Sequence, residues 1–479
     1  MSQSIVSCKD LTIHYPESGA QIDGVSFEIA KGECFALVGR SGSGKTTITK
    51  ALLGLHHPDT QIGGQILFDG RDLLTLRQKE WRQIRGVEIG YVSQNPWGAC
   101  DPRREVADHI GQAWRCQGKS VSRRQIISEL EKIGVADAQE KAGAYPHQWS
   151  GGMLQRASIA AATAHTPSLI IADEPTSALD ADLSQAVLSS IRQRSAAVLL
   201  VSHDMDLVMQ NADRIGVLHN GQLVEVFTPD QWQGHRHHAV TCSFLDALKD
   251  TRRTTSSNTQ DPIVTLKDAS LHYKGSREPI LKQVDLSISP GEIIGILGPS
   301  GSGKSSLLKL IMGLHECSSG TMHKSMSLTR PGAIMPIFQD PSASLPLSWP
   351  VWRVVSEPLT ASHLRRSSRA RRREAAREAL ANVGLADLDI HAKAWELSIG
   401  QKQRVCLSRL ELAEPELIVA DEPTSSLDTI SCQQVAELLI RLAQKGTAIL
   451  VVSHNEAFLK RICDRRFLVD PEHKRLVAL

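Results

Sequence analysis

Apolar residues along this chain fall into short unbroken runs, separated by stretches where apolar and charged residues interleave every three or four positions. Cys34–Val38, Ser168–Asp173 and Ala197–His203 are apolar at nearly every position, the pattern of parallel strands buried on both faces. Ahead of them, Ile5–Tyr15 and Gln21–Ile29 read as two strands divided by the turn-rich Pro16–Gly19. A helix is expected over Thr46–Leu55. The Gly63–Gly64 pair and Asp69–Gly70 punctuate a short strand over Gln65–Phe68, and another spans Ile89–Ser93, ending at Gln94. From Pro102 to Gly143 the interleaving is helical throughout, which predicts a helical insertion.

The same order then returns: Ile263–Tyr273, Glu292–Leu297, a second helical insertion, Leu417–Asp421 and Ala448–His454. Between the halves the chain turns polar, from Thr228 to Pro262, and includes TRRTTSSNTQDP. The pattern therefore predicts two tandem α/β domains, residues 1–228 and 263–479, joined by a linker over 229–262. Each is expected to have a parallel-sheet core, an antiparallel β portion at its N-terminal end and a helical insertion. The second copy is the shorter, mostly before Gln339.

Composition narrows the class. At 41% hydrophobic and 22% charged residues, the 479-residue chain is that of a soluble globular protein. Its 54 basic side chains against 52 acidic ones give no overall field toward nucleic acid or an anionic membrane, so partners must be argued locally. The start, MSQSIVSCKDLTIHYPESG, lacks a basic flank followed by an apolar block. No run approaches the ~18 apolar residues of a membrane helix. A cytosolic chain is expected. Nine cysteines are scattered with no C-x-x-C pair, which suits neither a zinc site nor a disulfide framework.

Chemistry enters with GRSGSGKT, from Gly39 to Thr46, and GPSGSGKS, from Gly298 to Ser305. Both fit the phosphate-loop pattern G-x-x-x-x-G-K-[ST] directly behind an apolar run. Glycines let consecutive backbone N–H groups turn inward around a phosphate, and the following helix points its positive end there. The candidate nucleotide residues are Gly39, Ser41, Gly42, Gly44, Lys45, Thr46 and Thr47, with Gly298, Ser300, Gly301, Gly303, Lys304, Ser305 and Ser306 in the second copy. Thr46 and Ser305 are expected to ligate Mg²⁺. Downstream, LIIADEPTSALD and LIVADEPTSSLD each end an apolar run with two acids: Asp173 or Asp421 suits Mg²⁺ held through water, and Glu174 or Glu422 suits polarising an attacking water. His203 and His454 each close a later strand as VSH. A lone histidine there is ordinarily structural, but its recurrence favours contact with the γ-phosphate.

Together these residues resemble the ATPase domains of ATP-binding-cassette (ABC) transporters, over nearly the whole chain. The family's LSGGQ signature stands here as WSGGM, 149–153, and LSIGQ, 397–401. By this resemblance Tyr15 and Tyr273 stack on adenine, and Gln94 and Gln339 couple to the Mg²⁺ site. Ser150, Gly151 and Gly152, like Ser398, Gly400 and Gln401, would bind the γ-phosphate from the opposite domain. The resemblance implies two ATP and Mg²⁺ held head to tail, with Lys45 facing Ser398–Gln401 and Lys304 facing Ser150–Met153. Ile399 departs from the family's glycine. A β-branched side chain at a close phosphate approach is costly or shifts the loop, so slower hydrolysis is expected on the Lys45 side.

YPHQWSGGMLQR, the openings Gln94–Pro96 and Gln339–Pro341, and HHAVTCSFLDAL at 237–248 resemble the importer branch for peptides, nickel and opine metallophores, whose signature also carries Met153's residue. That implies the energy-coupling subunit of a bacterial importer, peripheral at the cytoplasmic face of the inner membrane. Its partners would be two transmembrane permease subunits and, through them, a substrate-binding protein. No nucleic acid, zinc or iron–sulfur cluster is expected, with only Cys242 in the region where some members hold a cluster. The alternative is a tandem-cassette ATPase acting on ribosomes, a class that usually carries a long charged linker and an acid closing the signature. A DNA-repair cassette would need zinc modules or coiled coils. Trp97 and the segment Leu347–Val355 are candidate docks for membrane subunits. The run RRSSRARRR, 365–373, reads as a solvated helix face, with a nucleic-acid or lipid contact as the alternative, and His235, His237 and His238 read as a polar helix start rather than a metal site.

Overall fold

A computed structural model describes residues 4–16, 21–40, 42–176, 181–194, 197–232, 237–248, 261–273, 278–299, 301–360, 368–424, 427 and 429–479. The chain divides into two compact units, Met1–Leu248 and Lys249–Leu479.

The first unit opens with β1 (Ser4–His14), β2 (Gln21–Ala30), β3 (Cys34–Val38), α1 (Lys45–Leu52), β4 (Gln61–Phe68), β5 (Arg71–Asp72), α2 (Gln78–Ile84) and β6 (Ile89–Val92). The insertion follows as α3 (Val106–Arg115), α4 (Arg123–Lys132) and α5 (Ala138–Lys141). It leads into α6 (Gly151–Thr163), β7 (Leu169–Asp173), α7 (Ala181–Gln193), β8 (Val198–Val201), α8 (Met205–Asn211), β9 (Arg214–His219), β10 (Gln222–Phe227) and α9 (Ala239–Leu248). Strand order is β2-β1-β4-β5 in an antiparallel sheet and β10-β9-β3-β8-β7-β6 in a second sheet, parallel except at β10. Every residue of β3, β7 and β8 is buried, the reason these runs carry no polar alternation.

The second unit repeats this with β11 (Val264–Leu271), β12 (Leu281–Ile288), β13 (Ile293–Leu297), α10 (Lys304–Met312), β14 (Ser319–Lys324) and β15 (Ile334–Ile337). Then come α11 (Pro341–Ser344), α12 (Val351–Val355), α13 (Arg369–Ala381), α14 (Ile399–Ala413), β16 (Leu417–Asp421), α15 (Thr429–Gln444), β17 (Ala448–Val452), α16 (Glu456–Ile462), β18 (Arg465–Val469) and β19 (Leu476–Ala478). Its sheets run β12-β11-β14 and β15-β16-β17-β13-β18-β19, the last strand antiparallel. Parallel strands joined through helices put the loop after β3 or β13 and the ends of β7 and β8, or β16 and β17, at the same edge of the sheet.

Two expectations change. The strand expected at Gln65 starts at Gln61 and passes through Gly63 and Gly64. The glycines serve a bulge rather than a turn: pairing with β1 slips between Lys9 and Thr12, Gly64 has φ +84°, and a Cβ on it would overlap the Asp10 carbonyl oxygen. Gly320, at φ +77° against the Asp268 carbonyl, does the same in the second unit. In the stretch 229–262 expected as a linker, α9 is part of the first unit and buries Phe244 and Leu245, while 249–260 lie outside the described residues.

The cores are built differently. In the first unit the insertion has an apolar cluster of its own, including Val106, Ile110, Leu130, Trp149 and Leu154. In the second, insertion residues such as Val351, Trp352 and Leu380 share one cluster with Ile418, Leu438 and Val451 of the sheet layer. Among the described residues no helix is long and apolar enough to cross a membrane.

Candidate active site

Each glycine-rich loop joins a buried strand to a helix that begins at its lysine. Gly42 and Gly44 have φ of +81° and +105°, and Gly301 and Gly303 +82° and +102°, a region that side chains other than glycine rarely adopt. Gly44 has no side chain with which to cap α1, so the first N–H groups of that helix and its positive end are left to the loop. Lys45 Nζ donates to the Gly39 and Arg40 carbonyls at 2.7 and 3.0 Å, and Lys304 Nζ to Gly298 and Pro299 at 2.6 and 2.8 Å. Both ammonium groups thus lie over their own loops. Burial lowers Lys304 from its ordinary value although Glu422 and Asp421 oppose it. Ser41 and Ser300 lie outside the described residues.

The two acids sit where the strands deliver them. Asp173, 2% exposed, ends β7 with Thr49 Oγ1 at 3.5 Å from one carboxylate oxygen, while the other, Oδ1, is buried without a hydrogen-bond partner among the described residues. Asp421 ends β16 and accepts from Ser305 Oγ at 2.8 Å. Burial pushes both carboxyls up, so each is a group that a nearby cation would return to its ionised form. An orphaned oxygen beside Thr46 and an aspartate touching Ser305 are the donor set a hard divalent cation takes.

Glu174 and Glu422 come next, both in left-handed backbone with φ of +48° and +49°, their N–H groups bonded to the Val201 and Val452 carbonyls at 2.8 and 2.9 Å. Backbone strain of this kind at two matched glutamates is a mark of a functional position. Glu174 accepts from Gln94 Nε2 at 2.7 Å and lies 3.1 Å from His203 Nδ1. Glu422 lies 2.9 Å from His454 Nδ1 and accepts from Ser453 Oγ at 3.4 Å. Burial pushes Glu174 up, but His203, Lys45 and Gln94 more than reverse it and hold the carboxyl below its usual range. Burial likewise pulls His203 down, and Glu174 with Asp204 more than reverse that.

A pH signature follows. His203, raised, contributes stability that is full below 6.5 and lost as pH rises through its higher folded value. Glu174, depressed, contributes stability that is full above 4.5 and lost as pH falls through its lower folded value. His203→Gln is therefore expected to flatten the alkaline-side fall in melting temperature. A variant whose profile overlays the wild type would disprove the pairing.

The signature segments open α6 and α14. Ser150 Oγ accepts from the Met153 N–H and Ser398 Oγ from the Gln401 N–H, both at 3.3 Å; Gln401 also accepts the Ser398 N–H at 2.9 Å, a reciprocal cap that Met153 has no acceptor to make. The expected shift at Ile399 is not seen. Ser398 (φ −63°, ψ 160°) matches Ser150 (φ −73°, ψ 159°), because position 399 is an ordinary first helical residue that a branched side chain tolerates. What Ile399 adds is a side chain, 58% exposed, where Gly151 has none.

Two site residues were missed in the sequence. Gln155, fully buried, donates to the Ser93 carbonyl at 3.3 Å, next to Gln94. Gln403, also fully buried, donates to the Glu422 carbonyl at 3.2 Å. They tie each signature helix to its own unit's sheet edge, beside Gln94 in the first unit and at Glu422 in the second. The signal was there, the QR that follows both signatures. Tyr273 is positioned too: its hydroxyl donates to Ser306 Oγ at 3.0 Å and its ring meets His315 edge-on at 5.0 Å, while Tyr15 packs against the sheet core. Gln339 is exposed.

Of the candidate docks, Trp97 and Leu347 are exposed, but Val351, Trp352, Val354 and Val355 are core, so most of 347–355 packs inward. His237 is a buried latch, its Nδ1 2.8 Å from Glu225 and its ring against Phe227, and His238 N–H donates to the same carboxylate. His235, Arg365 and Arg366 lie outside the described residues.

Against known proteins, the family model described as "ABC transporter" matches residues 22–177 and 281–425, more than half of the chain. The chain is 31% identical to the peptidoglycan transport ATP-binding protein YejF of Agrobacterium fabrum, over 97% of this chain and 90% of that one. It is 30% identical to the glutathione import ATP-binding protein GsiA of Pectobacterium atrosepticum, over 96% and 84%. Among solved structures, the archaeal ribosome recycling factor in complex with a ribosomal stalk protein superposes with a TM-score of 0.70 at 21% identity, covering 98% of this chain and 89% of that one. At that identity the likeness shows the fold.

Proposed function

Starting from a chain that belongs to the ABC transporter family of ATP-binding proteins, ATPases coupled to transport, we propose that it is the energy-coupling subunit of a bacterial importer of the peptide, nickel or opine-metallophore type. The observation that carries this reading is end-to-end similarity to two import or transport ATPases whose names specify peptidoglycan and glutathione, across both halves of the chain. Its permease partners would be membrane subunits at the inner membrane's cytoplasmic face, reached by a chain with no membrane-crossing helix among its described residues.

In this reading two ATP would lie between the two halves of the chain paired head to tail, each on one loop and the other half's signature. Tyr15 or Tyr273 stacks on the base, the loop N–H groups and Lys45 or Lys304 hold the phosphates, and Ser150–Gly152 or Ser398, Gly400 and Gln401 donate to the γ-phosphate. Thr46 with Asp173, and Ser305 with Asp421, would hold Mg²⁺, with Gln94 and Gln339 directed to the same place, and the ion would supply positive charge against the phosphates. Glu174 and Glu422 orient and deprotonate water, and His203 and His454 fix those carboxylates through Nδ1. ATP then joins the halves and hydrolysis releases them, a cycle that membrane partners would turn into transport.

Lys304→Ala is expected to abolish uptake in cells carrying the cognate permease, and Lys45→Ala to impair it; wild-type uptake in both refutes the motor assignment. A ribosomal role is separated by fractionation, since sedimentation with ribosomes and absence from membranes would overturn the importer reading.

A further inference from the structure

The N-terminal half of α13 carries Arg369, Arg371, Arg372 and Arg373, and among the described residues none of the four pairs with a carboxylate. The two acids nearest these arginines are engaged elsewhere, Glu374 by Arg377 at 3.1 Å and Glu357 by Arg409 at 2.8 Å, and Glu378 lies further along the helix. Residues 360–373 contain no Asp or Glu. The guanidinium carbons of Arg369, Arg372 and Arg373 stand 5.2, 5.5 and 5.2 Å from the centroid of one ring, Trp352, and Arg372 adds a bond to the neutral Ser356 Oγ at 3.3 Å. A π-face orients cations but does not neutralise them. The first turn of a helix also favours anions, and this one has only cations. The matching helix of the first unit, α4, instead sets its leading Arg123 3.8 Å from Glu105.

We propose that this arginine face is a contact site for the phosphate groups of an anionic phospholipid surface. Planar guanidinium forks match phosphate oxygens in pairs, and here Trp352 holds three of them in a fixed fan. With a net charge of only +2 on the whole chain, the face acts as a local contact rather than through a long-range field. Single-stranded nucleic acid is disfavoured because the aromatic ring at the centre is 5% exposed and offers no face for a base. An acidic peptide is disfavoured because the groove along the rest of α13 mixes Arg377 and His391 with Glu378 and Asp389. The proposal stands apart from the transport reading: its test needs neither cargo nor permease.

The test is flotation of the full chain with vesicles of phosphatidylcholine alone or with phosphatidylglycerol. Binding is expected only to the anionic vesicles, falling as salt is raised. It should drop about tenfold or more in R369Q/R371Q/R372Q/R373Q, fall between that variant and the wild type in the four-lysine variant, which keeps the charge but not the planar forks, and be unchanged in R123Q/R124Q. ATP turnover reads folding in every variant. Equal partition onto both vesicle types, undiminished binding by the glutamine variant, or capture of an RNA oligonucleotide without vesicle binding would each overturn the proposal.

Discussion

Glu422→Gln is expected to cut steady-state ATP turnover about a hundredfold or more, whereas Glu174→Gln should leave most of it. A positioned general base contributes about 10²–10⁴ to rate, and glutamine keeps the shape while removing the basicity. The two sites are expected to differ because Glu174 shares the site with Lys45, which the proposed pairing sets opposite Ile399. The backbone there is regular, so the penalty is not strain but an exposed branched side chain at a helix end that should offer N–H groups to phosphate. ATP binding, followed by equilibrium titration, should persist in both variants. Equal residual rates would sink the asymmetry, and Ile399→Gly in the Glu422→Gln background should restore turnover if it is right.

Gly320→Val is expected to lower the stability of the second unit by about 3 kcal/mol or more. A branched residue in left-handed backbone costs about 1–2 kcal/mol, and its Cβ would also overlap the Asp268 carbonyl of the neighbouring strand. Gly70→Ala is the control: φ there is +79°, yet nothing lies within 4 Å of its Cβ, so only the conformational cost remains. Chemical denaturation that places both variants within about 1 kcal/mol of each other would show that the bulge is not rigid.

Much of this was legible in the sequence, for a physical reason. Strands buried on both faces favour apolar residues, so Cys34–Val38 and the run Leu417–Ala420 ahead of Asp421 emerge from the pattern alone. Phosphate loops need glycine at fixed places, and two copies of one pattern confirm each other. The rest depends on neighbours distant in sequence. Gly63 and Gly64 look like a turn until β1 bulges against them. The segment 347–355 looks like an apolar dock until α13 and α14 cover its helix. The left-handed backbone of Glu174 and Glu422 leaves no trace in residue type, because glutamate has no preference for it.

The separate apolar cluster of the first insertion has a mechanical meaning. Where two bodies share few buried side chains, sliding one against the other breaks little packing; where they share one continuous interior, the same displacement must open it. On this ground the first insertion is expected to open before its sheet layer and the second to open together with it, which hydrogen exchange would read as earlier loss of protection in α3 and α4 than in α12 and α13.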